Sequence, residues 1–478
     1  MISGGKKRMK KGLKRLAGIA LAGALTIGTA AGFSACSSSS HMDKDGNITL
    51  SFWSIYPEGD ANYQWTKDII SRFETENPTI KINYTGISFW DYFTKITTAM
   101  TDSSGPDIYL QTIKDTNDRA SGGVSMDITP YLDDEINKSC FYPQDLSTME
   151  YEGGLYGLPY ALDNRVLYYN IDIMNTLKTT TDADWQATKA AKKADATISG
   201  KPSDLLDADG NVRAPETFDE LMAYTELLTT QENGKITQLG FDVNVGNCMF
   251  VNFVWNLGGE FFEDGKPVVT TNEGVKKGFE TWYEVAKVNS TAKVNAFINT
   301  AGDSSENLFW SKKVAMMIST NEIPWQNDKL SEENRVNLGA ASVPYNKVEE
   351  NHYNFTGGFS LEMTTRLAKE KTEVREAAAK FMKYLCSEDI QKEVLNESSN
   401  MPANINVYDD LFNEITDPAK RVVLTEMQYR KPYDYIANAP NWFGEVQNAL
   451  TDYVAGKHTL DETLTTAQNA ILRLQATN

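Results

Sequence analysis

The residues best suited to chemistry crowd one extended stretch, Tyr151 to Met174, YEGGLYGLPYALDNRVLYYNIDIM. Gly153, Gly154, Gly157 and Pro159 punctuate its entrance, and Tyr, Val and Leu then favour a strand. Along that strand Tyr160, Tyr168 and Tyr169 supply aromatic faces, and Asp163 and Arg165 supply opposite charges. Asp163 and Arg165 either pair with each other or present a planar acceptor and a planar donor to a ligand. A strand this long, with charges in its middle, suits a crossing between two bodies better than the centre of one core. The expectation is a hinge between two lobes, with a ligand held in the cleft beside it.

Bond-breaking chemistry finds little support. With only three histidines (His41, His352, His458), a Ser-His-Asp arrangement has no material to work with. No Cys/His spacing resembles a metal site, and no metal or other cofactor is expected. Asp207-Ala208-Asp209-Gly210-Asn211 looks superficially like a calcium loop. Its oxygen-ligand spacing is incomplete and no Glu stands at the twelfth place, so a polar turn is expected. Cys140, Cys248 and Cys386 lie far apart and are odd in number, which gives no disulfide framework.

The elements that must position the hinge alternate in period. Ile48, Leu50 and Phe52 form a period-two strand, Trp65, Ile69, Ile70 and Phe73 one helical face ending at Asn77-Pro78, and Ile80, Ile82 and Tyr84 another strand. That is a parallel βαβ unit. Phe93, Ile96 and Met100 mark a second helix, and Asp107 to Leu110 a short buried strand. Thr217-Phe218-Asp219-Glu220 and Thr459-Leu460-Asp461-Glu462 both read as capping boxes. Helices are expected over 274–285 and 370–385, a buried strand at Val314 to Ile318, and a loop from Ser319 to an exposed Trp325. Leu177 to Arg213, rich in Thr, Ala, Lys and Asp, reads as a surface insertion. At 478 residues, and about 150 residues per domain, two or three domains are expected.

Charge narrows the partners. The net charge is −19, and seven of the 46 basic residues fall within the first 35, which hold no acid. Without that segment the balance is −26, which repels phosphate backbones, excludes nucleic acid as a partner and favours a monomer. Residues 1–35 read as a signal peptide: a basic start, an apolar run from Leu16 to Ala31, then small residues before Cys36. Small residues before a Cys resemble a bacterial lipoprotein signal, with Cys36 acylated and 36–42 a tether.

Eight segments, in order, resemble the extracellular solute-binding proteins of bacterial ABC sugar importers, the group that includes maltose-binding protein. They are FETENPTIKINY (73–84), SSGPDIYL (103–110), YGLPYALDNRVLYYN (156–170) and PETFDEL (215–221). The others are LGGEFFEDGKPVVTTNEGVKKGFETW (257–282), LFWSKKVAMMIS (308–319), FTGGFSLEM (355–363) and AAAKFMKYLCSEDIQKEVL (377–395). The resemblance implies an α/β, periplasmic-binding-protein-like fold of two α/β lobes with a two- or three-segment hinge and the ligand cleft between them. Lobe 1 would comprise 43–160 plus 357–412, and lobe 2 would comprise 163–356 plus 413–478, with 177–213 an unusually long insertion. Crossings are expected near 161–163, 354–357 and 410–416. With the lipoprotein signal, it implies a receptor on the outer face of a Gram-positive cell membrane, anchored there by Cys36.

The resemblance also implies the ligand, a carbohydrate delivered to the transmembrane permease subunits of an ABC transporter. Pyranose rings stack their C–H faces on Trp or Tyr, while their hydroxyls need carboxylates, amides or guanidinium groups. Candidates on loops facing the hinge are Trp53, Tyr56 and Glu58 after the first strand, Trp90 and Asp91 after the second, and Asp115 after the third. Tyr160, Asp163 and Arg165 lie on the crossing itself. Across the cleft stand Trp255, Trp325, Tyr345, Phe359 and Trp442. Several stacking platforms favour an oligosaccharide over a monosaccharide. The competing readings are a receptor for a non-sugar solute, a sensor subunit, or an extracellular glycoside hydrolase, which needs two carboxylates at a defined separation.

Overall fold

The computed structural model describes residues 41–101, 104–181, 183–184, 187, 205–302, 304–432, 434, 436, 439 and 441–477. The expected signal peptide, Cys36, the serine tether and most of the 177–213 insertion lie outside the described residues.

From the N-terminus, β1 (Ile48–Ser54) alternates buried and more exposed positions and leads into α1 (Ala61–Glu76). The Asp60 side chain accepts the Asn62 amide to start α1, and Asn77 closes it. Trp65, Ile69, Ile70 and Phe73 form its buried face, and Phe73 meets Phe381 edge-on at 4.9 Å. β2 (Ile80–Gly86) runs parallel to β1, giving the expected βαβ pairing. α2 (Phe89–Thr101) follows, and its buried Tyr92 hydroxyl reaches the carbonyls of Trp53 and Leu110, tying the end of β1 to β3 (Ile108–Thr112). After α3 (Thr116–Ser121) and α4 (Pro143–Ser147), β4 (Leu158–Leu162) completes the first passage through this sheet.

β5 (Arg165–Asn170) begins a second sheet, and all six of its residues are buried. Its alternate residues serve different cores, Val166 and Tyr168 one, Leu167 and Tyr169 the other. A strand covered on both faces has a near-continuous apolar run, which is the composition seen here. α5 (Phe218–Leu228), α6 (Phe250–Asn256) and α7 (Glu273–Ala286) then build the second lobe's core. β6 (Met316–Thr320) and β7 (Leu338–Ala341) flank β5, both antiparallel, with the short α8 (Ile323–Lys329) between them.

β8 (Asn354–Phe355) precedes the return to the first lobe, where β9 (Gly358–Met363), α9 (Thr372–Leu385) and β10 (Met401–Pro402) lie. The first sheet has the order β10–β4–β9–β3–β1–β2. α10 (Pro418–Glu426), β11 (Arg430–Lys431), α11 (Trp442–Val454) and α12 (Leu460–Thr477) return the chain to the second lobe. Segment 163–164 thus joins the two sheets, 356–357 leads from β8 into the first sheet, and 415–417 joins the helix Tyr408–Glu414 to α10.

The two capping boxes differ. Thr459 and Glu462 are reciprocal, each side chain accepting the other's amide. Thr217 accepts the Glu220 amide, but the Glu220 carboxylate turns to Arg213 and the Glu216 amide instead. Asp207 accepts the amides of Asp209 and Asn211, the polar turn expected there. Among the described residues, no helix is long and apolar enough to cross a membrane, and no group of three or more His, Cys, Asp or Glu could hold a metal.

The first hydrophobic core does not stop at the first lobe. It continues through Tyr160, Leu162, Val166 and Tyr168 to Met317, Val423 and Met427, so one face of β5 shares its packing with the first lobe. The second core is built on α5, α6, α7, α11, α12 and the other face of that sheet, with loop residues such as Val212, Phe241 and Phe261 added to it.

Candidate functional site

Two of these segments, 163–164 and 356–357, meet at Asp163. Its carboxylate accepts the Gly357 amide and faces the Arg165 guanidinium at 3.0 Å, while its carbonyl accepts the Thr356 hydroxyl at 2.9 Å. Gly357 and Gly358 are required here by contact. A Cβ at 357 would lie 3.1 Å from the Asp163 carboxylate, and Gly358 has φ +119° with its Cβ direction 2.5 Å from the Ala161 carbonyl. Asn164 donates to the Val423 carbonyl at 2.9 Å, which binds the third segment's helix to the first. Beneath them lies a fully buried ion pair, Asp145 of α4 with both guanidinium nitrogens of Arg430, at 3.0 and 2.9 Å. Burial raises the Asp145 carboxyl above its ordinary range, against the pull of Arg430. Arg430 also donates to Thr356 and covers the Tyr142 ring, so α4, β11 and the second crossing share one residue.

The wall on the second lobe is built by register. The β5–β6 ladder ends with Arg165 opposite Thr320, and Glu322, two residues beyond, has helical backbone and lies near Asp163. Glu322 is the residue that opens α8, and burial holds its carboxyl above the usual range, assisted by Glu306 and Asp163 nearby. Glu306 accepts the Ser319 hydroxyl at 2.5 Å. The loop 242–248 runs alongside, since Gly246 bridges Ile318 and the Asn247 amide donates to the Ile318 carbonyl. Burial also pushes the Asp242 carboxyl and the Cys248 thiol up, the latter beside Asp242 and Arg165. Asp242, Glu306 and Glu322 did not stand out in the sequence. The signal available was position, each an acid just beyond a strand or in a loop beside one.

On the first lobe the expected residues separate into layers. Trp53 is half-buried at the end of β1 and lines, with Ile87, Thr94, Thr98 and Ser104, a cavity of about 340 Å³. Asp115 is half-buried and accepts the Thr112 hydroxyl at 2.9 Å. Phe359 is half-buried between Thr112 and Ala161 in the sheet, beside the crossings. Tyr56 and Tyr160 are core residues, and burial drives both hydroxyls above the ordinary tyrosine range. Glu58 and Asp91 are exposed. Trp90 lies on α2, not in a loop, and is 87% exposed against Phe89.

Four aromatics of the second lobe differ from expectation. Trp442 is 1% exposed, packed among Phe261, Phe262 and Phe443, because it is the first residue of α11 and faces that lobe's core. Trp255 is equally buried, and the Lys431 ammonium sits over its ring at 5.1 Å. The loop expected around Trp325 is the first turn of α8, which buries the indole beneath Lys420 at 5.2 Å. Tyr345 stacks on His352 at 4.2 Å, and His352 in turn on Tyr429 at 3.7 Å. The structure therefore brings Asp163, Arg165 and Phe359 to the crossings, leaves Asp115 just past the end of β3, and gives other work to Trp255, Trp325, Tyr345 and Trp442.

A model of the family described as "Bacterial extracellular solute-binding protein" matches residues 68–421. The chain is 23% identical over 464 residues to "Maltodextrin-binding protein MdxE" of Bacillus subtilis, covering 92% of this chain and 94% of that one. It is 23% identical over 329 residues to the "Maltooligosaccharide ABC transporter solute-binding lipoprotein" of Streptococcus pneumoniae, covering 68% and 66%. Among solved structures, the sugar-binding protein MalE of Xanthomonas citri superposes with TM-score 0.68 at 16% identity, covering 90% of this chain and 98% of that one. A second, CpMnBP1 with mannotriose bound, gives 0.69 at 20% identity, covering 89% and 100%. The two-lobe, periplasmic-binding-protein-like fold is common to them.

Proposed function

The chain belongs to the bacterial extracellular solute-binding protein family, and from that premise we propose that it is an oligosaccharide receptor of an ABC importer. Sugar enters between the lobes, the lobes close over it, and the closed form is delivered to the transmembrane permease subunits. The relatives matched along most of their length are named as binding proteins for maltodextrin and maltooligosaccharide. The same reading makes this chain a monomeric binding protein that leaves its sugar unchanged. It is held by an acylated Cys36 at the outer face of the cell membrane of a Gram-positive bacterium.

One observation carries the reading: two segments between the lobes meet on a charged, glycine-lined floor at Asp163 and Gly357, and Asn164 ties the helix after the third segment to them, the arrangement a hinge between two lobes requires. Asp163, Arg165, Asp115, Phe359 and Trp53 would then contact sugar from the floor and the first lobe. Carboxylates and guanidinium groups would take the hydroxyls, and the aromatic faces the ring C–H surface. The test is calorimetry and thermal-shift measurement with malto-, manno-, xylo- and fructooligosaccharides. A rise in melting temperature with one class, and recovery of that sugar intact after incubation, is expected. No shift with any glycan at near-millimolar concentration would sink the reading.

A further inference from the structure

The wall on the second lobe carries more negative charge than the chain neutralises. Asp163 is matched by Arg165 at 3.0 Å, but neither Glu306 nor Glu322 has a Lys, Arg or His partner within ion-pair distance among the described residues. Glu322 stands two residues past the end of β6, near Asp163, and Glu306 is fixed at Ser319, three residues before it. Both carboxylates are half-buried, where a charge without a counter-charge is costly.

Polar atoms around these two acids point the same way. The Tyr168 hydroxyl is fully buried without a hydrogen-bond partner, and Glu322 is its strongest charged neighbour. Arg165 Nε and Asn321 Oδ1 are likewise buried without partners, on the residues directly beside Asn164 and Glu322. Buried polar atoms are normally paired, so a group of them beside carboxylates that lack a counter-charge marks a place shaped for a polar ligand. A neutral sugar hydroxyl can accept from Tyr168 and donate to one carboxylate, yet it leaves the charge excess in place. An ammonium group on the sugar donates to both carboxylates and cancels that excess in a single contact.

Resting on the receptor reading above, we infer that the preferred ligand is an amine-bearing oligosaccharide whose ammonium group is held by Glu322 and Glu306, with the Tyr168 hydroxyl beside it. The amine is positioned at the second-lobe end of the floor, and the remaining rings lie toward Phe359 and Trp53.

The test compares ligands that differ only at the amine: glucosamine and galactosamine trimers against their N-acetylated forms, and maltotriose against its 6-amino-6-deoxy derivative. Calorimetry at neutral pH is expected to show at least tenfold tighter binding of the amine form in one pair. Glu322→Gln should cut that preference to near unity, and Glu306→Gln should reduce it in the same direction, both variants keeping the parent's circular dichroism. Addition of 0.5 M salt should erode the preference only partly, because the contact is shielded from solvent. If every pair binds equally, or the neutral member binds tighter, the inference falls while the receptor reading stands. If nothing in the panel binds, both fall.

Discussion

Asp163 and Gly357 are joined side by side where the first and second crossings run between the lobes, the glycine amide donating to the carboxylate. The same carboxylate holds Arg165, so it is both a structural acceptor and a charge at the crossings. Asp163→Ala removes the anion and leaves Arg165 buried against the Phe355 ring at 5.0 Å. Oligosaccharide affinity is expected to fall at least tenfold in calorimetry, with the native circular dichroism retained. Unchanged affinity would make Asp163 a purely structural residue.

Gly358 constrains the same hinge sterically. Its φ of +119° is strained for any L side chain, and a Cβ would strike the Ala161 carbonyl at 2.5 Å. Gly358→Ala should cost roughly 1–3 kcal/mol from backbone conformation alone, with more from the clash. Urea denaturation measures it. A midpoint equal to that of the parent would show that the crossing adjusts freely.

Much of this hinge was legible in the sequence. Gly157, Pro159 and the charges within an extended run located the break between β4 and β5, and the paired glycines located the second crossing. Period-two and helical patterns likewise gave β1, α1 and the last helix, because each buries one face. The site walls were less legible. Trp325 and Trp442 fall in first turns of helices, where one residue of rotation decides whether a ring faces core or cleft. Glu322 meets Asp163 only where the β5–β6 ladder ends, a relation between residues far apart in sequence. Local spacing contains no trace of it.

The Asp145–Arg430 pair is expected to dominate the stability of the junction. Both side chains are fully buried and bidentate, and removing one partner leaves an uncompensated charge. Asp145→Ala should therefore cost about 3–5 kcal/mol in urea unfolding. The double variant Asp145→Leu with Arg430→Met should be less destabilised than Asp145→Ala, since it buries no orphan charge. The reverse order would show that the pair contributes more than the desolvation it requires.

Two groups give the stability curve opposite slopes. Hydrogen bonding to Asp107 and Glu370 raises the His41 pKa, so its contribution is present below about 6.5 and is lost as pH rises through the higher folded value. Arg119, Ser125 and Ser360 hold the buried Glu362 below the ordinary range despite its desolvation. Its contribution is present above about 4.5 and is lost as pH falls through the lower folded value. Melting temperature against pH should show both limbs. Glu362→Gln should flatten the acidic one, and His41→Gln the decline above neutrality.

Two tryptophans separate recognition from packing. Trp442 is enclosed by Phe261, Phe262 and Phe443, and its indole donates to the Asp434 carbonyl at 2.8 Å. Trp53 is half-buried beside an open cavity at the end of β1, and its carbonyl, not its ring, is what Tyr92 holds. Trp442→Ala should cost about 3–5 kcal/mol through the cavity it leaves, and affinity should change only as far as the folded fraction does. Trp53→Ala should lower the melting temperature far less and weaken oligosaccharide binding about tenfold, the scale of one lost stacking contact. Stability comes from urea unfolding, and affinity from calorimetry on the folded fraction. Should Trp53→Ala bind normally while Trp442→Ala binds poorly at full folding, sugar contact would belong to the second lobe's aromatic core, and the cleft would have to open there.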